Sequence, residues 1–191
     1  MKNDFNVCPM CAGKKIKNLD NRKWICEDCG FDLYCNVAAA VGVINYDDEN
    51  NVLFEVRAKE PQKGKIAIPG GFVDFDETAE NAVVRECKEE LGFEIKDFEF
   101  VCTNPNTYQY KNIEYKTCDI FFKSKLPKQF SSLQDFMNKL DIQKSEVQSL
   151  VVYKVKTQED IENLPIAFES TRQTLKKFIQ GNINYRYSIL R

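Results

Sequence analysis

The chain has no histidine at all among its 191 residues. That excludes a Ser-His-Asp or Cys-His catalytic arrangement and any histidine-ligated metal. Acid–base chemistry must then fall to carboxylates, Lys, Tyr or metal-bound water. Charge of one sign is also lacking: 27 Lys and Arg stand against 29 Asp and Glu, a net charge of −2, with the basic residues spread along the chain. So weak a positive field argues against a duplex nucleic-acid partner, though not against a nucleotide pocket or an RNA 5′ end. No apolar run reaches the length of a membrane span, and the N-terminal MKNDFNVCPMC has no apolar core of a signal peptide. A soluble, cytoplasmic protein with no membrane partner is the expectation. Internal repeats and low-complexity segments are absent too.

What is present suffices for one ordinary domain and something small. Hydrophobic residues make up 43% and aromatics 12% of a 22.2 kDa chain, enough for a core. Eight cysteines divide unevenly. Cys8, Cys11, Cys26 and Cys29 form C-x2-C-x14-C-x2-C, two knuckles that together offer four thiolates for a structural Zn²⁺, with Gly13 and Gly30 just past each pair. Disulfides or a redox pair fit a cytosolic chain poorly, and iron is the competing metal. Four thiolates leave no open coordination position, so this metal is expected to serve as the core of a segment too short to fold alone. The boundaries expected are 1–34 for a zinc ribbon and 35–191 for the larger domain. Trp24 and Tyr34 are expected to pack around the ribbon, and Cys35, Cys87, Cys102 and Cys118 to be small core residues.

The densest chemistry lies in residues 71–93, GFVDFDETAENAVVRECKEELGF. Glu86, Glu89 and Glu90 fall at i, i+3 and i+4, neighbours on one helical face. Grouped carboxylates repel one another unless a cation sits among them, and hard oxygen ligands suit Mg²⁺ or Mn²⁺. Thr78 is the expected N-cap and Gly92 the left-handed closing residue, with Ala79, Ala82, Val83, Cys87 and Leu91 as the apolar stripe. Pro69-Gly70-Gly71 supplies a tight turn before the helix. The bland reading of such a helix is a solvated acidic face.

Elsewhere, VAAAVGVI, VLFEVRA, FEIKDFEFVCT, EYKTCDIFFKS and 146–155 read as strands. Short helices are expected over 131–140 and 170–180, the latter with Leu175, Phe178 and Ile179 inward. The aromatic, basic tail 182–191 has no assigned element and is a candidate homodimer contact. Strands mixed with a few helices imply a mixed sheet covered on both faces.

The stretch 71–93 resembles the Nudix signature, G-x5-E-x7-R-E-U-x-E-E-x-G-U, at every glycine and polar position; Cys87 stands in an aliphatic slot. VRAKEPQKGKIAIPGG resembles the family's lead-in, with Ile66 where tryptophan is frequent, and the resemblance runs over about residues 36–180. It implies an α/β/α sandwich with a mixed β-sheet, and Mg²⁺- or Mn²⁺-dependent cleavage of a nucleoside diphosphate linked to another moiety. Carried over by position, the metal ligands are Glu86, Glu89, Glu90 and the Gly70 carbonyl. Arg85 orients the carboxylates through Glu77. The base is Glu86 or Glu89, with Glu146 as an alternative base or added ligand. Arg57 and Lys65 are candidates for substrate phosphates; Phe72, Tyr108 and Tyr110 are candidates for stacking on a base. The ribbon ahead of this domain resembles the NADH pyrophosphatase branch, but Asn104–Tyr110 stands where that branch carries SQPWPFP. ADP-ribose, NAD(H), diadenosine polyphosphates and capped RNA ends therefore stay open. The alternative is a non-catalytic nucleotide sensor whose ribbon, with Lys14, Lys15, Lys17, Arg22 and Lys23, meets protein or nucleic acid.

Overall fold

The computed structural model describes residues 5–181, so the tail at 182–191 and its expected dimer contact lie outside the described residues. The first sheet is small and antiparallel: β1 (Ile16–Leu19), β2 (Lys23–Cys26) and β3 (Asp32–Tyr34), in that order. Trp24 is 2% exposed and meets the Phe5 ring edge to face at 4.7 Å. Tyr34, expected to pack here, points into solvent at 56% exposure, because it ends an edge strand and has only Lys23 across its ring.

The second sheet contains β4 (Ala38–Tyr46), β5 (Asn51–Arg57), β6 (Ile66–Ala67), β7 (Glu99–Tyr110), β8 (Ile113–Lys125) and β9 (Val147–Lys154). Its order is β6-β5-β4-β8-β7, with β9 on the other edge of β5. β4 and β8 run parallel over nine paired residues, and all other pairings are antiparallel, so the sheet is mixed. β4 touches β5 only at Asn45–Leu53 and Tyr46–Val52 before the two diverge. Into that opening runs the segment after β6: Val43 N–H donates to Pro69 O and Val41 N–H to Gly71 O. The turn is thus wedged between two halves of the sheet, and the helix that follows it starts from a fixed point.

Alternation along the strands sends neighbours to opposite faces. Val43, Phe122 and Leu53 face α1 (Ala79–Leu91) and α2 (Leu133–Met137). Ile44, Phe121 and Phe54 face α3 (Gln158–Glu162) and α4 (Glu169–Ile179). Both faces are covered, which is the expected sandwich. The strand expected from residue 93 begins only at Glu99. Phe93 and Ile95 instead plug the α1 face, Phe93 lying 4.8 Å from the Phe136 ring. α3, not anticipated, is set by a capping box of Thr157 and Asp160. Of the four other cysteines, Cys87 and Cys102 are buried, but Cys35 is half-buried in the link between β3 and β4, and Cys118 is exposed on the β8 face opposite Thr117 and Asp119.

Leu175 of α4 is fully buried among Phe54, Phe121 and Ile161. Leu175→Ala should cost about 2–5 kcal/mol in urea unfolding followed by far-ultraviolet dichroism. A loss below about 1 kcal/mol would mean that α4 is not part of the cooperative core.

Candidate functional site

Helix α1 is bounded as its sequence implies. Thr78 Oγ1 accepts from Asn81 N–H at 3.2 Å, and Gly92 closes the helix in the left-handed region, φ 66°. Ala82, Val83, Cys87 and Leu91 are buried against the sheet. The carboxylates then grade in depth: Glu89 is 53% exposed in its side chain, Glu86 12%, and Glu90 is buried.

Arg85 organises the outer members. Its Nε and Nη2 grip Glu77 at 3.0 and 2.9 Å, a two-pronged pair, while Nη1 reaches Glu86 at 2.8 Å and Glu89 at 3.4 Å. Nη2 also donates to Phe72 O at 2.9 Å, fastening the helix to the preceding loop. Arg85 holds the Glu77 carboxyl below the usual carboxylate range, and the carboxylates in turn raise Arg85. Burial raises Glu86, with Arg85 opposing.

The inner member is fixed by backbone. Gly70 N–H donates to Glu90 Oε2 at 2.8 Å. Gly70 sits at φ 147°, where a Cβ would lie 2.1 Å from Val41 O; a Cβ on Gly71 would lie 2.5 Å from Glu86 Oε1. Only glycine lets the loop come this close. Burial pushes Glu90 up to about 8, with the neighbouring Glu86 and Glu146 charges adding to the rise.

Beneath Glu90 lies a carboxylate that the sequence reading did not select. Glu55, on β5, shares the α1-facing side with Leu53 and is 2% exposed. Burial and then the Glu90 charge raise it well above the ordinary range, and its Oε2 has no hydrogen-bond partner among the described residues. A lone acid inside the apolar run VLFEVRA was the available signal. A buried oxygen without a partner, set behind like charges, is a donor that suits a cation. Among the described residues the cysteine thiols converge within 4.8 Å of one another, and the glutamate oxygens form no group that tight.

A cavity of about 410 Å³ opens over this set, lined by Gly70, Glu86, Glu89, Glu90 and Glu146 on one side. Glu146 reaches it from the turn before β9, where its backbone bonds Ala58 and Gln143, and its carboxylate pairs with Lys59. Arg57, Phe72 and Tyr108 also line the cavity. Arg57 lies 5.0 Å over the Phe168 ring, and Tyr108 meets Phe72 at 5.4 Å edge to face and Phe168 at 5.9 Å. Tyr110 and Lys65 do not belong to it. Tyr110 is 48% exposed at the far end of β7, beside the turn into β8, and Lys65 is exposed in the loop before β6. Asp119, Thr117 and Phe168 are lining residues the sequence reading passed over. Thr117 and Asp119 alternate with apolar neighbours along β8, a polar pair at inward positions that alternation could have flagged.

The second cluster is that of the cysteines. Cys8, Cys11, Cys26 and Cys29 bring their Sγ atoms within 4.8 Å of one another, with Cys8–Cys29 and Cys11–Cys26 at 3.7 Å. A disulfide needs about 2.05 Å, whereas four sulfurs about 2.3 Å from a tetrahedral Zn²⁺ stand about 3.8 Å apart. The spacing is that of a metal shell. Gly30 takes φ 77°, and a Cβ on Gly13 would lie 2.4 Å from Asp28 Oδ2, so both knuckles depend on glycine.

Comparison with known proteins agrees with this geometry. The chain is 46% identical over 80 residues to an ADP-ribose pyrophosphatase of Methanocaldococcus jannaschii, covering 41% of this chain and 42% of that one. It is 25% identical over 105 residues to an NAD-capped RNA hydrolase, NudC, of Vibrio atlanticus, covering 55% and 38%. The matches therefore span about two fifths of the length of these relatives. In fold it is similar to a NUDIX hydrolase of Nitrosomonas europaea, TM-score 0.61 at 22% identity over 93% and 92% of the two chains. It is also similar to the NUDIX domain of Shewanella oneidensis NrtR in complex with ADP ribose, TM-score 0.58 at 21% identity over 76% and 88%. Residues 37–162 match the NUDIX domain family, well over half of the chain. The helix with its graded glutamates, the glycine turn ahead of it and this match together make the chain a member of the NUDIX family.

Proposed function

We propose that this chain hydrolyses a nucleoside diphosphate linked to another moiety, with ADP-ribose or a nicotinamide dinucleotide as the substrate class. The observation that carries the reading is the single cavity with the complete glutamate set on one wall and Arg57, Phe72 and Tyr108 beside it. A larger groove of about 830 Å³ adjoins it, sharing Asn106, Thr117 and Phe168, and suits a second moiety beyond the diphosphate. Similarity to an ADP-ribose pyrophosphatase and to NAD-capped RNA hydrolases supports the same class, and an RNA 5′ end remains within it.

The donor set suits a hard divalent cation: buried carboxylates, one with an orphaned oxygen, beside a glycine cradle. Glu86, Glu89 and Glu90 would hold Mg²⁺ or Mn²⁺, with Gly70 close by. Bound there, the cation supplies charge neutralisation at the pyrophosphate and a more acidic water. Glu90 is held by Gly70 N–H, and Arg85 aims Glu86 and Glu89. Glu86 or Glu89 takes the proton of the attacking water, and Glu146 is the reserve base, restrained by Lys59. Arg57 is placed to meet a substrate phosphate. The two units of the reading are 1–34, closed by structural Zn²⁺ on the four cysteines, and 35–191, the hydrolase; reduced thiolates suit a cytoplasmic setting.

A nucleotide sensor that does not turn over is the second reading, prompted by the ADP-ribose-bound NrtR domain. The intact glutamate set favours the enzyme. The basic ribbon face is also partly neutralised, Lys15 pairing with Asp28 at 3.2 Å and Lys23 with Asp32 at 3.0 Å.

With Mg²⁺ or Mn²⁺, turnover should appear on one or more of ADP-ribose, NADH and diadenosine polyphosphates, released nucleotides being separated chromatographically. The Glu89→Gln, Glu90→Gln double variant should lose at least about 100-fold. Binding without turnover across the panel would favour the sensor.

The Glu77–Arg85 pair predicts a pH signature. A carboxyl depressed in the folded state stabilises it above its unfolded pKa of about 4.3 and loses that contribution as pH falls through the lower folded value. Glu77→Gln should therefore be less stable than wild type at pH 7, with the gap closing toward pH 3 in urea titrations. An equal gap at both pH values would count against the pair.

Trp24 is the only tryptophan and lies in the ribbon. Stripping zinc with a strong chelator, or Cys26→Ser, should shift Trp24 emission to the red while most far-ultraviolet dichroism survives. Unchanged emission after verified metal loss would show that the ribbon holds without metal.

A further inference from the structure

Across the cavity from the glutamates stands a carboxylate that the hydrolytic chemistry does not use. Asp119, on β8, is 8% exposed and lines the cavity. Thr117 Oγ1 donates to its Oδ1 and Ser170 Oγ to its Oδ2, each at 2.6 Å, and both hydroxyl residues are themselves buried. Among the described residues no Lys or Arg forms an ion pair with it. Its charge is met instead by the start of α4: Ser170 is the second residue of that helix, and its N-cap, Phe168, contributes no side-chain cap.

Such an anchored anion has three properties relevant to a ligand. It repels phosphate, so the diphosphate belongs away from it, toward the glutamates proposed to hold the cation. Each oxygen keeps a lone pair beyond the one engaged by Thr117 or Ser170, so the group can only accept. Tyr108 and Phe168 line the same cavity, packed against each other at 5.9 Å with Arg57 over Phe168, and give a planar base an aromatic neighbour.

Resting on the nucleotide reading above, we propose that Asp119 is a specificity-determining residue that accepts hydrogen bonds from N–H donors on the base edge of the nucleoside, selecting an aminated purine. The placement of Thr117 and Ser170 fixes the carboxylate before ligand arrives, so a base without the donor covers its remaining lone pairs without replacing the water they would otherwise meet. The ribose hydroxyls are the other source of the same donor chemistry.

The test is calorimetric binding of ADP, purine riboside diphosphate (hydrogen in place of the 6-amino group, no N–H on the base) and 2′-deoxy-ADP to the full chain in Mg²⁺. Wild type should bind ADP about 10- to 100-fold more tightly than purine riboside diphosphate, as expected for one hydrogen bond to a charged group. Asp119→Asn should erase that preference, weakening ADP while leaving purine riboside diphosphate unchanged or tighter, because its amide can donate to a ring nitrogen. Ser170→Ala, which keeps the carboxylate but loosens it, should reduce the preference in part and covers the case in which Asp119→Asn does not fold. Discrimination falling on 2′-deoxy-ADP instead would overturn the base assignment in favour of ribose. A purely structural cap on α4 would lower the melting temperature and weaken all three ligands alike, which overturns the inference. If wild type binds ADP and purine riboside diphosphate equally, the inference fails while the nucleotide reading stands. If it binds no nucleoside diphosphate, both fail.

Discussion

Mutual repulsion among carboxylates is the constraint around which this structure is arranged. Glu55, Glu86, Glu89, Glu90 and Glu146 gather around one helix and its cavity, and burial raises the cost of charge on Glu55, Glu86 and Glu90. Two devices hold them in place. Arg85 spreads its guanidinium over Glu77, Glu86 and Glu89, and Gly70 gives its amide to Glu90. Neither reaches Glu55, whose Oε2 has no hydrogen-bond partner among the described residues.

That arrangement depends on how the sheet is divided. Because β4 leaves β5 after two residue pairs, the turn after β6 can enter the gap and bond to β4 through Pro69 and Gly71. The wedge sets the height of Gly70, which sets Glu90, while Arg85 ties α1 back to Phe72 in the same loop. A side chain at Gly70 or Gly71 would collide with Val41 or Glu86, so the close backbone approach and the acid geometry are one requirement.

The two walls of the cavity have opposite logic. On the α1 side carboxylates accumulate with an unmet need for cations. On the β8 side Asp119 is fully seated by Thr117, Ser170 and the α4 terminus and needs none. Under the proposed nucleotide reading, one wall would take the phosphates with a cation and the other neutral hydrogen-bond donors. That would orient a nucleoside diphosphate along the cavity toward the adjoining groove at Asn106 and Phe168. Under the zinc proposal the cysteine cluster is structural, because four thiolates would leave no open coordination position.

Local spacing was enough for the helix, its caps, the glutamate series, the knuckles and most strands, because each rests on contacts within a few residues: i to i+4 neighbours, a capping hydroxyl, paired thiols. The sequence also determined which family of chemistry to expect, through the run from Gly71 to Gly92. It did not determine that Glu55, 31 residues before Glu86, would lie under Glu90, nor that Ser170 would seat Asp119 from 51 residues away. It likewise misplaced Tyr110 and Tyr34, aromatic residues whose exposure depends on where a strand ends relative to a sheet edge. Those outcomes follow from strand register and from which helix covers which face. Depth of burial, and with it the charge and duty of each carboxylate, was decided only when the sheet closed.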